Sequence, residues 1–219
     1  MVVRAKICGV RSDCDLEVAV AAGADAVGFI CGVTHVTEDA LEPTEAARLV
    51  RATPPFVSTV LVTHLREGGA ILALADFLGV DTIQVHGLNA EAACEEVWRH
   101  RGNRRVIKAL HVTDRTVITR ALDQASYCDA ILLDSCTTER LGGTGRTHDW
   151  GISSEVAALL RSKGKPVIVA GGLTPDNVVE AIGTTAPYGV DVNSGVEDSA
   201  GSKSPERCRA FVSSAHSTA

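Results

Sequence analysis

Four short segments of the sequence place chemically useful side chains or glycines directly after apolar runs. Cys8-Gly9 ends the first of these runs, Asp134 ends a second, Gly171-Gly172 a third and Asn193-Ser194-Gly195 a fourth. Short, β-branched apolar runs that break abruptly into glycine and polar residues are typical of buried parallel strands. The pattern therefore predicts strand ends that present a thiol, a carboxyl group and two glycine-rich loops to a ligand.

The thiol and the carboxyl group suit different steps of proton transfer. Cys8 is a candidate general base for a carbon-bound proton, provided that local dipoles or a cation lower its pKa towards neutrality. Asp134 ends a strongly apolar run, so partial burial is expected to raise its pKa and to make it a candidate general acid. Each residue also has a structural interpretation, because cysteine often fills a strand end and aspartate often caps a helix or anchors a loop. The residues alone leave both interpretations open.

The two glycine-rich segments predict an anion site. Glycine lets backbone N–H groups approach a phosphate, and a helix N-terminus adds a partial positive charge. Thr174 is a candidate N-cap with Pro175 at the first helical position, which predicts a helix directly after Gly171-Gly172. That glycine pair alone fits a simple tight turn, but its pairing with Asn193-Ser194-Gly195 favours a phosphate site.

Strand and helix patterns alternate along the chain. Strand candidates cover residues 3–8, 26–30, 56–62, 82–85, 105–110, 130–134, 166–170 and 189–192. Helical patterns cover residues 13–22, 43 or 44 to 51, 68–78, 89–100, 113 or 114 to 125, 153–163 and 175–182, with a last helix from Ser204-Pro205 and with Asp13 and Asn89 among the expected N-caps. No linker or charge block divides the chain. These repeats predict a single (β/α)8 barrel domain over residues 1–219, with its site at the carboxyl ends of the strands.

That placement selects the side chains expected at the barrel mouth. The strand-end positions are Cys8-Gly9, residues 31–35, Thr63-His64, Gln84, His86, His111, Asp134-Ser135, Gly171-Gly172 and Asn193-Ser194-Gly195. This set contains four of the seven histidines of the chain. The glycine-rich segment 142–145 follows the sixth strand and predicts a flexible lid with a further phosphate contact.

Composition and charge narrow the function classes. A formal net charge of −6 and a pI near 5.6, together with the lack of a basic run, argue against nucleic-acid binding. No apolar stretch has the length of a membrane span and the first residues lack a secretory hydrophobic segment, so we expect a cytoplasmic protein. The seven scattered cysteines lack CxxC spacing and are expected to be free thiols, mostly small buried hydrophobes.

Seven motifs taken together resemble the phosphoribosylanthranilate isomerase family of tryptophan biosynthesis. They are Lys6-Ile7-Cys8-Gly9, residues 23–29, Gln84-Val85-His86-Gly87, Leu132-Leu133-Asp134-Ser135, residues 142–145 with Asp149-Trp150, residues 170–178, and residues 190–197. They occur in order over nearly the whole chain. The resemblance implies a cofactor-free (β/α)8 isomerase that performs an Amadori rearrangement. In that reaction an aminated phosphoribose ring opens and becomes a 1-amino-1-deoxyribulose phosphate.

The resemblance also implies a role for each site residue. Asp134 would protonate the ring oxygen, and Cys8 would take the C2′ proton from the resulting Schiff base. Phosphate contacts are expected from Gly145, Gly171, Gly172, Ser194 and Gly195, and further substrate contacts from His35, His64, Gln84, His86 and Asn193. The expected partner is a small phosphosugar, bound by a monomer or a homodimer.

The sequence departs from the family pattern after the second and third strands. Family members typically carry a Ser-x-Arg segment after the second strand, whose arginine binds the anthranilate carboxylate. Here residues 31–43 contain no arginine, and the next one is Arg48. Thr63-His64 replaces an apolar residue and an asparagine, and Lys203-Ser204 replaces a common Lys-Asp pair. The catalytic and phosphate parts of the pattern are thus retained, whereas the part that holds the aglycone, the amine substituent of the sugar, has changed.

Three hypotheses are compatible with these residues. The first is the family reaction, on phosphoribosylanthranilate or on another aminated phosphopentose. The second uses His35, His64, His86, His111 and Asp134 to hold a divalent metal in an isomerase, epimerase or hydrolase of different mechanism. Against it, His86 belongs to a family motif that binds no metal, so no metal site is assigned. The third is a non-catalytic phosphosugar-binding protein, which would need neither a base nor an acid.

Overall fold

The computed structural model describes residues 2–33, 38–88, 90–135 and 149–218, and within them eight parallel strands form a closed barrel in chain order, with β8 pairing with β1. The strands are β1 Arg4–Ile7, β2 Ala26–Ile30, β3 Ser58–Thr63, β4 Thr82–Val85, β5 Arg105–Val112, β6 Ala130–Ser135, β7 Val167–Val169 and β8 Gly189–Val192. The helices are α1 Asp13–Ala21, α2 Pro43–Ala52, α3 Gly68–Leu78, α4 Glu91–His100, α5 Thr116–Gln124, α6 Trp150–Arg161, α7 Val178–Thr185 and α8 Pro205–Ser217. The predicted (β/α)8 architecture is confirmed.

Three strands extend beyond their predicted ends. β3 continues to Thr63, β5 to Val112 and β6 to Ser135, because all three keep pairing beyond their apolar cores. As a result His111 and Asp134 lie inside the barrel ladder, where they are direct register partners. The backbone of both residues is therefore fixed by the sheet and not by a loop.

The helix after β7 begins later than predicted. α7 starts at Val178 and not at Pro175, because Asn177 organises a turn in the preceding residues. Its Oδ1 atom accepts a hydrogen bond from Thr174 N at 2.8 Å, and its Nδ2 atom donates to Gly172 O at 3.0 Å. The prediction of a helix directly after the glycine pair is therefore wrong by three residues.

Other helix starts also depend on which side chain acts as the cap. Ser12, and not the predicted Asp13, caps α1 by accepting a hydrogen bond from Asp15 N at 3.1 Å. Asp149 caps α6, so this helix starts before the predicted Ser153. α5 begins at Thr116 and not at residue 113 or 114. α8 starts as predicted, with Ser204 as its cap, and the predicted cap Asn89 lies outside the described residues.

Alternation along the strands separates two apolar layers. The layer between strands and helices contains the fully buried side chains of Phe29, Leu61, Ile83, Leu110 and Ile131. Burial of each such side chain contributes about 1.5–3 kcal/mol. None of the described helices combines the length and the apolar character needed to cross a membrane.

The barrel interior is smaller and partly polar. One inner cluster contains Ile107, Ala109, Leu132 and Ile168, and another contains Cys8, Ile30, Val60 and Val62. The polar side chains of Lys6, Gln84 and Asp191 are also at least nine-tenths buried. Buried polar groups are costly unless they are paired, so these residues mark the part of the interior that serves the site.

Candidate active site

Cys8 lies at the carboxyl end of β1 beside a buried ion pair. Lys6, two residues earlier on the same face, donates from Nζ to Asp191 Oδ2 at 2.8 Å, and the two side chains are only 6% and 7% exposed. The pair follows from strand register, since Lys6 and Asp191 are direct partners between β1 and β8. Burial works to lower the pKa of Lys6, but Asp191 and Cys8 raise it above its ordinary value. Lys6 is therefore an ammonium ion next to the thiol.

The thiol itself is harder to ionise than a free cysteine. Burial raises the pKa of Cys8 above its ordinary value, and Asp191 raises it further, against the opposing attraction of Lys6. The condition that a cation should lower the pKa of Cys8 is therefore not met, although the cation is present. Formation of the thiolate therefore costs free energy, because the charged sulfur is buried away from water.

Glycine on the neighbouring elements makes room for this group. A Cβ atom on Gly28, in β2, would lie 2.8 Å from Cys8 Sγ and 3.0 Å from Lys6 Cε. A Cβ atom on Gly9 would lie 2.3 Å from Asn193 Oδ1, and Gly9 has a φ of +68°. Both glycines are thus required for the thiol, the ammonium group and the β8 loop to approach one another.

Asp134 lies at the end of β6 in contact with a chain of polar side chains. His86 Nε2 is 3.1 Å from Asp134 Oδ2, and the carboxyl group is 9% exposed. On the other side of the ring, His86 Nδ1 is 2.9 Å from Gln84 Nε2. In this arrangement Gln84 donates to Nδ1, which leaves the proton of the neutral ring on Nε2, pointing at Asp134. Gln84 and His86 therefore orient the carboxyl group.

Two further histidines flank His86. The ring centroids of His64 and His86 are 5.4 Å apart, and those of His86 and His111 are 5.3 Å apart, both in edge-to-face geometry. Burial and the neighbouring His86 ring lower the pKa of His111 to about 4, with Asp134 opposing the shift, so its imidazole is neutral at pH 7. The structure thus brings together three of the four histidines predicted at the mouth. The fourth, His35, lies outside the described residues.

The two glycine-rich loops adjoin each other and the carboxyl group. Gly171 and Gly172 have φ values of +84° and +66°, which favour glycine. A Cβ atom on Gly171 would lie 2.5 Å from Asp134 Oδ1, and one on Gly195 would lie 1.8 Å from Leu173 O. Ser194 begins a 3₁₀ helix that includes Gly195. The loops after β7 and β8 therefore meet as the sequence predicts, and their role in binding phosphate stays a prediction.

Asn193 connects three parts of the mouth. Its Nδ2 atom donates to Asp39 Oδ2 at 2.9 Å, and its Oδ1 atom accepts from Lys203 Nζ at 2.7 Å. Lys203 Nζ also contacts Glu197 Oε1 at 2.7 Å, and its side chain is 1% exposed. Both ends of the Asn193 amide thus bind protein groups. The predicted contact between Asn193 and the substrate stays a prediction. In the structure, the Asn193 side chain links the loops after β2 and β8.

Sequence reasoning overlooked two of the residues that surround Cys8. Lys6 lies two positions before Cys8, and Asp191 lies two positions before Asn193. Because side chains alternate along a strand, this spacing places both members of each pair on one face. The spacing could therefore have identified Lys6 and Asp191 from the sequence. Asp39 gave no comparable signal, since its contacts with Arg11 and Asn193 join residues that are far apart in the sequence. The predicted phosphate ligand Gly145 and the proposed lid at 142–145 lie outside the described residues.

The sequence and the fold also match known proteins. Residues 5–214 match the family model described as N-(5'phosphoribosyl)anthranilate (PRA) isomerase. A relative from Haloferax volcanii, named N-(5'-phosphoribosyl)anthranilate isomerase, is 44% identical over 212 residues, which cover 97% of this chain and 92% of the relative. A relative of the same name from Methanothrix thermoacetophila is 37% identical, covering 95% and 96% of the two chains.

Solved structures give the same result. The phosphoribosyl anthranilate isomerase of Thermotoga maritima superposes with a TM-score of 0.84 at 34% identity, covering 97% of this chain and 98% of that one. A second such structure, a complex with reduced 1-(o-carboxyphenylamino)-1-deoxyribulose 5-phosphate, has a TM-score of 0.80 at 32% identity and the same coverage. The chain belongs to the N-(5'-phosphoribosyl)anthranilate isomerase family.

Proposed function

We propose that this chain catalyses the Amadori rearrangement of N-(5'-phosphoribosyl)anthranilate, with Asp134 as general acid and Cys8 as general base. The observation that carries the proposal is the pairing of each residue with its own polar partners at the mouth of a barrel of this family. Cys8 adjoins Lys6, and Asp134 adjoins His86. An acid and a base on separate strands suit a reaction that needs one proton given and another taken.

The reaction needs two proton transfers at different atoms. Asp134 gives its proton to the furanose ring oxygen as the bond from that oxygen to C1′ breaks, which leaves a Schiff base between C1′ and the amine nitrogen. The thiolate of Cys8 then removes the proton from C2′, and the electron pair moves to form an enolamine. Tautomerisation of the enolamine gives the 1-amino-1-deoxyribulose phosphate, so the reaction needs no oxidant or reductant.

The Lys6–Asp191 pair supports the base. A thiolate in a buried site is stabilised by the ammonium group of Lys6, and Asp191 holds that ammonium group in place at 2.8 Å. Because burial raises the pKa of Cys8, the thiolate that does form is a stronger base than a thiolate of low pKa. Cys8 is thereby suited to removing a carbon-bound proton.

His86 supports the acid. Once Asp134 has given its proton away, the Nε2–H group of His86 at 3.1 Å donates to the new carboxylate and stabilises its charge. Gln84 keeps His86 in the tautomer that can do this. The adjacent glycine loops, through Gly171 and Gly195, are proposed to bind the phosphate with backbone N–H groups.

Turnover by a cysteine variant tests this proposal. Freshly generated phosphoribosylanthranilate is fluorescent, and its loss of fluorescence reports conversion. Cys8→Ala should lower kcat by about 10²–10⁴-fold, the usual worth of a general base. The matched control is Cys14→Ala, since Cys14 is exposed on α1. Turnover by Cys8→Ala within a few-fold of the unsubstituted protein would refute the assignment of the base.

A different aglycone is the second candidate, favoured by the charge after β2. Arg48, the first arginine after this strand, lies in α2 and pairs with Asp13 and Glu45. Nearer the mouth, Asp39 lies 3.7 Å from Arg11. A carboxylate on the aglycone would therefore approach the like charge of Asp39, with only the adjacent Arg11 to attract it. This arrangement favours an aglycone without a carboxylate.

Comparison of two substrates separates the candidates. Phosphoribosylated aniline lacks the carboxylate of phosphoribosylanthranilate but keeps the ring and the sugar phosphate. A higher kcat/KM for phosphoribosylanthranilate, reduced in Arg11→Gln, supports the first candidate. A higher kcat/KM for the aniline compound would replace it with the second.

The oligomeric state stays a prediction of monomer or homodimer. One solved relative from Thermotoga maritima is described as monomers generated from a dimeric enzyme, at 31% identity and a TM-score of 0.79. Light scattering at working concentration decides between the two states.

A further inference from the structure

Three potential metal ligands converge on neighbouring strands. The ligand atoms of His86, His111 and Asp134 all lie within 4.8 Å of one another, and they form the one such group found among the described residues. His86 Nε2 and Asp134 Oδ2 are 3.1 Å apart. Two ligands that each bind a tetrahedral zinc ion at about 2.0–2.1 Å lie about 3.3 Å apart. Two of the three atoms thus already have the spacing of a coordinated pair.

The third ligand, His111, is buried and lacks a hydrogen-bond partner in the part of the chain that the structure describes. His111 is 5% exposed, and neither of its ring nitrogens has a hydrogen-bond partner in the described structure. A buried polar atom without a partner costs about 1–3 kcal/mol and calls for an explanation. Its strand register beside Asp134 places the ring next to the other two ligands. An ion at that point would satisfy it.

Gln84 is placed to support His86 as a ligand. Metal-bound histidine donates its second ring N–H to an acceptor, and Gln84 lies 2.9 Å from His86 Nδ1. The oxygen of the Gln84 amide is buried and has no hydrogen-bond partner among the described residues. Rotation of the amide by half a turn brings that oxygen to Nδ1, and the ring proton then moves from Nε2 to Nδ1. Nε2 is thereby free to bind a metal.

We propose that His86, His111 and Asp134 form a binding site for a divalent transition-metal ion, with Zn²⁺ as the best fit, and that the bound ion inhibits the enzyme. Two imidazoles and one carboxylate are a ligand set that zinc uses with a water molecule in the fourth position. This inhibition differs from a metal-assisted mechanism, because the ion takes Asp134 out of the reaction.

The inhibitory part rests on the proposed function. A carboxylate that binds Zn²⁺ cannot carry the proton that the ring oxygen needs, so turnover stops while the ion is bound. Removal of the ion restores the free carboxyl group. The binding part depends only on the geometry of the three ligands.

Cobalt titration of the whole protein tests the binding part. Co²⁺ in a site of two nitrogens and one oxygen gives visible d–d bands, whereas a thiolate site adds an intense near-ultraviolet charge-transfer band. We expect one Co²⁺ per chain with d–d bands alone, displaced by Zn²⁺. Lack of saturable binding, or a thiolate band from the cysteines, would overturn the proposal.

Two variants on separate strands identify the ligands. His111→Asn and Asp134→Asn should each weaken Zn²⁺ binding in calorimetry by at least about 100-fold, since loss of an outer partner alone costs about 10–100-fold. The matched control is His100→Asn, at the exposed end of α4, which should bind Zn²⁺ like the unsubstituted protein. Full affinity in either ligand variant contradicts the assignment.

Turnover with and without zinc tests the inhibitory part. In the unsubstituted protein, Zn²⁺ should inhibit with the constant measured by calorimetry, and a chelator should restore the rate. In His111→Asn the ratio of rates with and without Zn²⁺ should stay near one. Zinc binding in a protein with no turnover would support the site and overturn the proposed function. Turnover that is insensitive to bound zinc would overturn the inhibition.

Discussion

At the amino-terminal end of the barrel three aspartates bind backbone groups, whereas at the carboxyl end polar side chains face one another across the mouth. Asp25, Asp81 and Asp129 directly precede β2, β4 and β6. Each accepts a hydrogen bond at 2.8 Å from the N–H of the second residue of the strand before it. These carboxylates fasten β1 to β2, β3 to β4 and β5 to β6.

Asp25 shows how fully this end is paired. Besides the backbone of Ala5, it contacts Arg4 at 2.7 Å and His216 at 2.8 Å. Partial burial works to raise the pKa of Asp25, but these hydrogen bonds together lower it below its ordinary value. At Cys8, in the mouth, burial prevails instead: it raises the pKa of the thiol despite a neighbouring ammonium group.

This difference between the two ends of the barrel assigns stability to the amino ends of the strands and chemistry to their carboxyl ends. Carboxylates whose hydrogen bonds are all made within the protein stabilise it. The Gln84 oxygen and the two His111 ring nitrogens are buried without a hydrogen-bond partner among the described residues, so they are available to a ligand and weaken the fold. In barrels of this type the carboxyl ends of the strands carry the site and the amino ends carry stability.

A crossed pair of aspartate variants gives the largest expected effect. Asp134→Asn should lower kcat by about 10²–10⁴-fold with little change in the free energy of unfolding, because it removes the proton donor. Asp25→Asn should leave kcat nearly unchanged and lower the free energy of unfolding by about 1–3 kcal/mol, because it weakens charge-assisted hydrogen bonds. Turnover and urea unfolding of both variants measure this. Equal loss of kcat in both would erase the distinction between the two ends.

A glycine pair tests how tightly the mouth is packed. Gly195→Ala should lower the free energy of unfolding by about 1–3 kcal/mol, because the new Cβ atom meets Leu173 O at 1.8 Å. Gly183→Ala is the control, since nothing lies within 4 Å of its new Cβ atom in α7 and alanine favours a helix by about 0.5–1 kcal/mol. Thermal unfolding of both variants should therefore give shifts of opposite sign. Similar shifts would mean that the two loops separate at little cost.

Cys8 should ionise at a higher pH than a free cysteine, because the attraction of Lys6 does not fully offset the effect of burial. Alkylation by iodoacetamide needs the thiolate, so the rate at Cys8, followed by peptide mass spectrometry, should rise about tenfold per pH unit to a midpoint above the ordinary thiol value of about 8.5. Lys6→Met should move the midpoint higher still, because it removes the ammonium group. A midpoint below the ordinary value would show that Lys6 outweighs burial.

The stability supplied by Asp25 should depend on pH. Because its pKa is lowered in the folded protein, its contribution is present above the unfolded value of about 3.9 and is lost as pH falls through the folded value. The difference in unfolding free energy between the unsubstituted protein and Asp25→Asn should therefore shrink as pH falls below about 4. Urea titrations from pH 3 to pH 7 measure it. A difference that stays constant over this range would assign the effect to packing and not to charge.

Much of the fold was predictable because its signals are local. The limits of β2, β4, β8 and α3 agree with the prediction, since apolar runs and flanking glycines define them. The start of α7 was not predictable in the same way, because the amide of Asn177 competes with the proline signal. Site prediction followed the strand ends and so reached Cys8 and Asp134.

The sequence by itself determined the barrel, the positions of the strand ends and the residue types that reach the mouth, because strand periodicity and apolar runs depend on neighbours along the chain. Only the tertiary structure decided which of these residues meet. The Lys6–Asp191 pair joins residues 185 positions apart, and the Asn193–Asp39 contact joins residues 154 positions apart. Such contacts, and the raised pKa of Cys8, depend on register at the barrel closure and on burial. The register at the closure and the burial of the mouth both require that β8 pairs with β1.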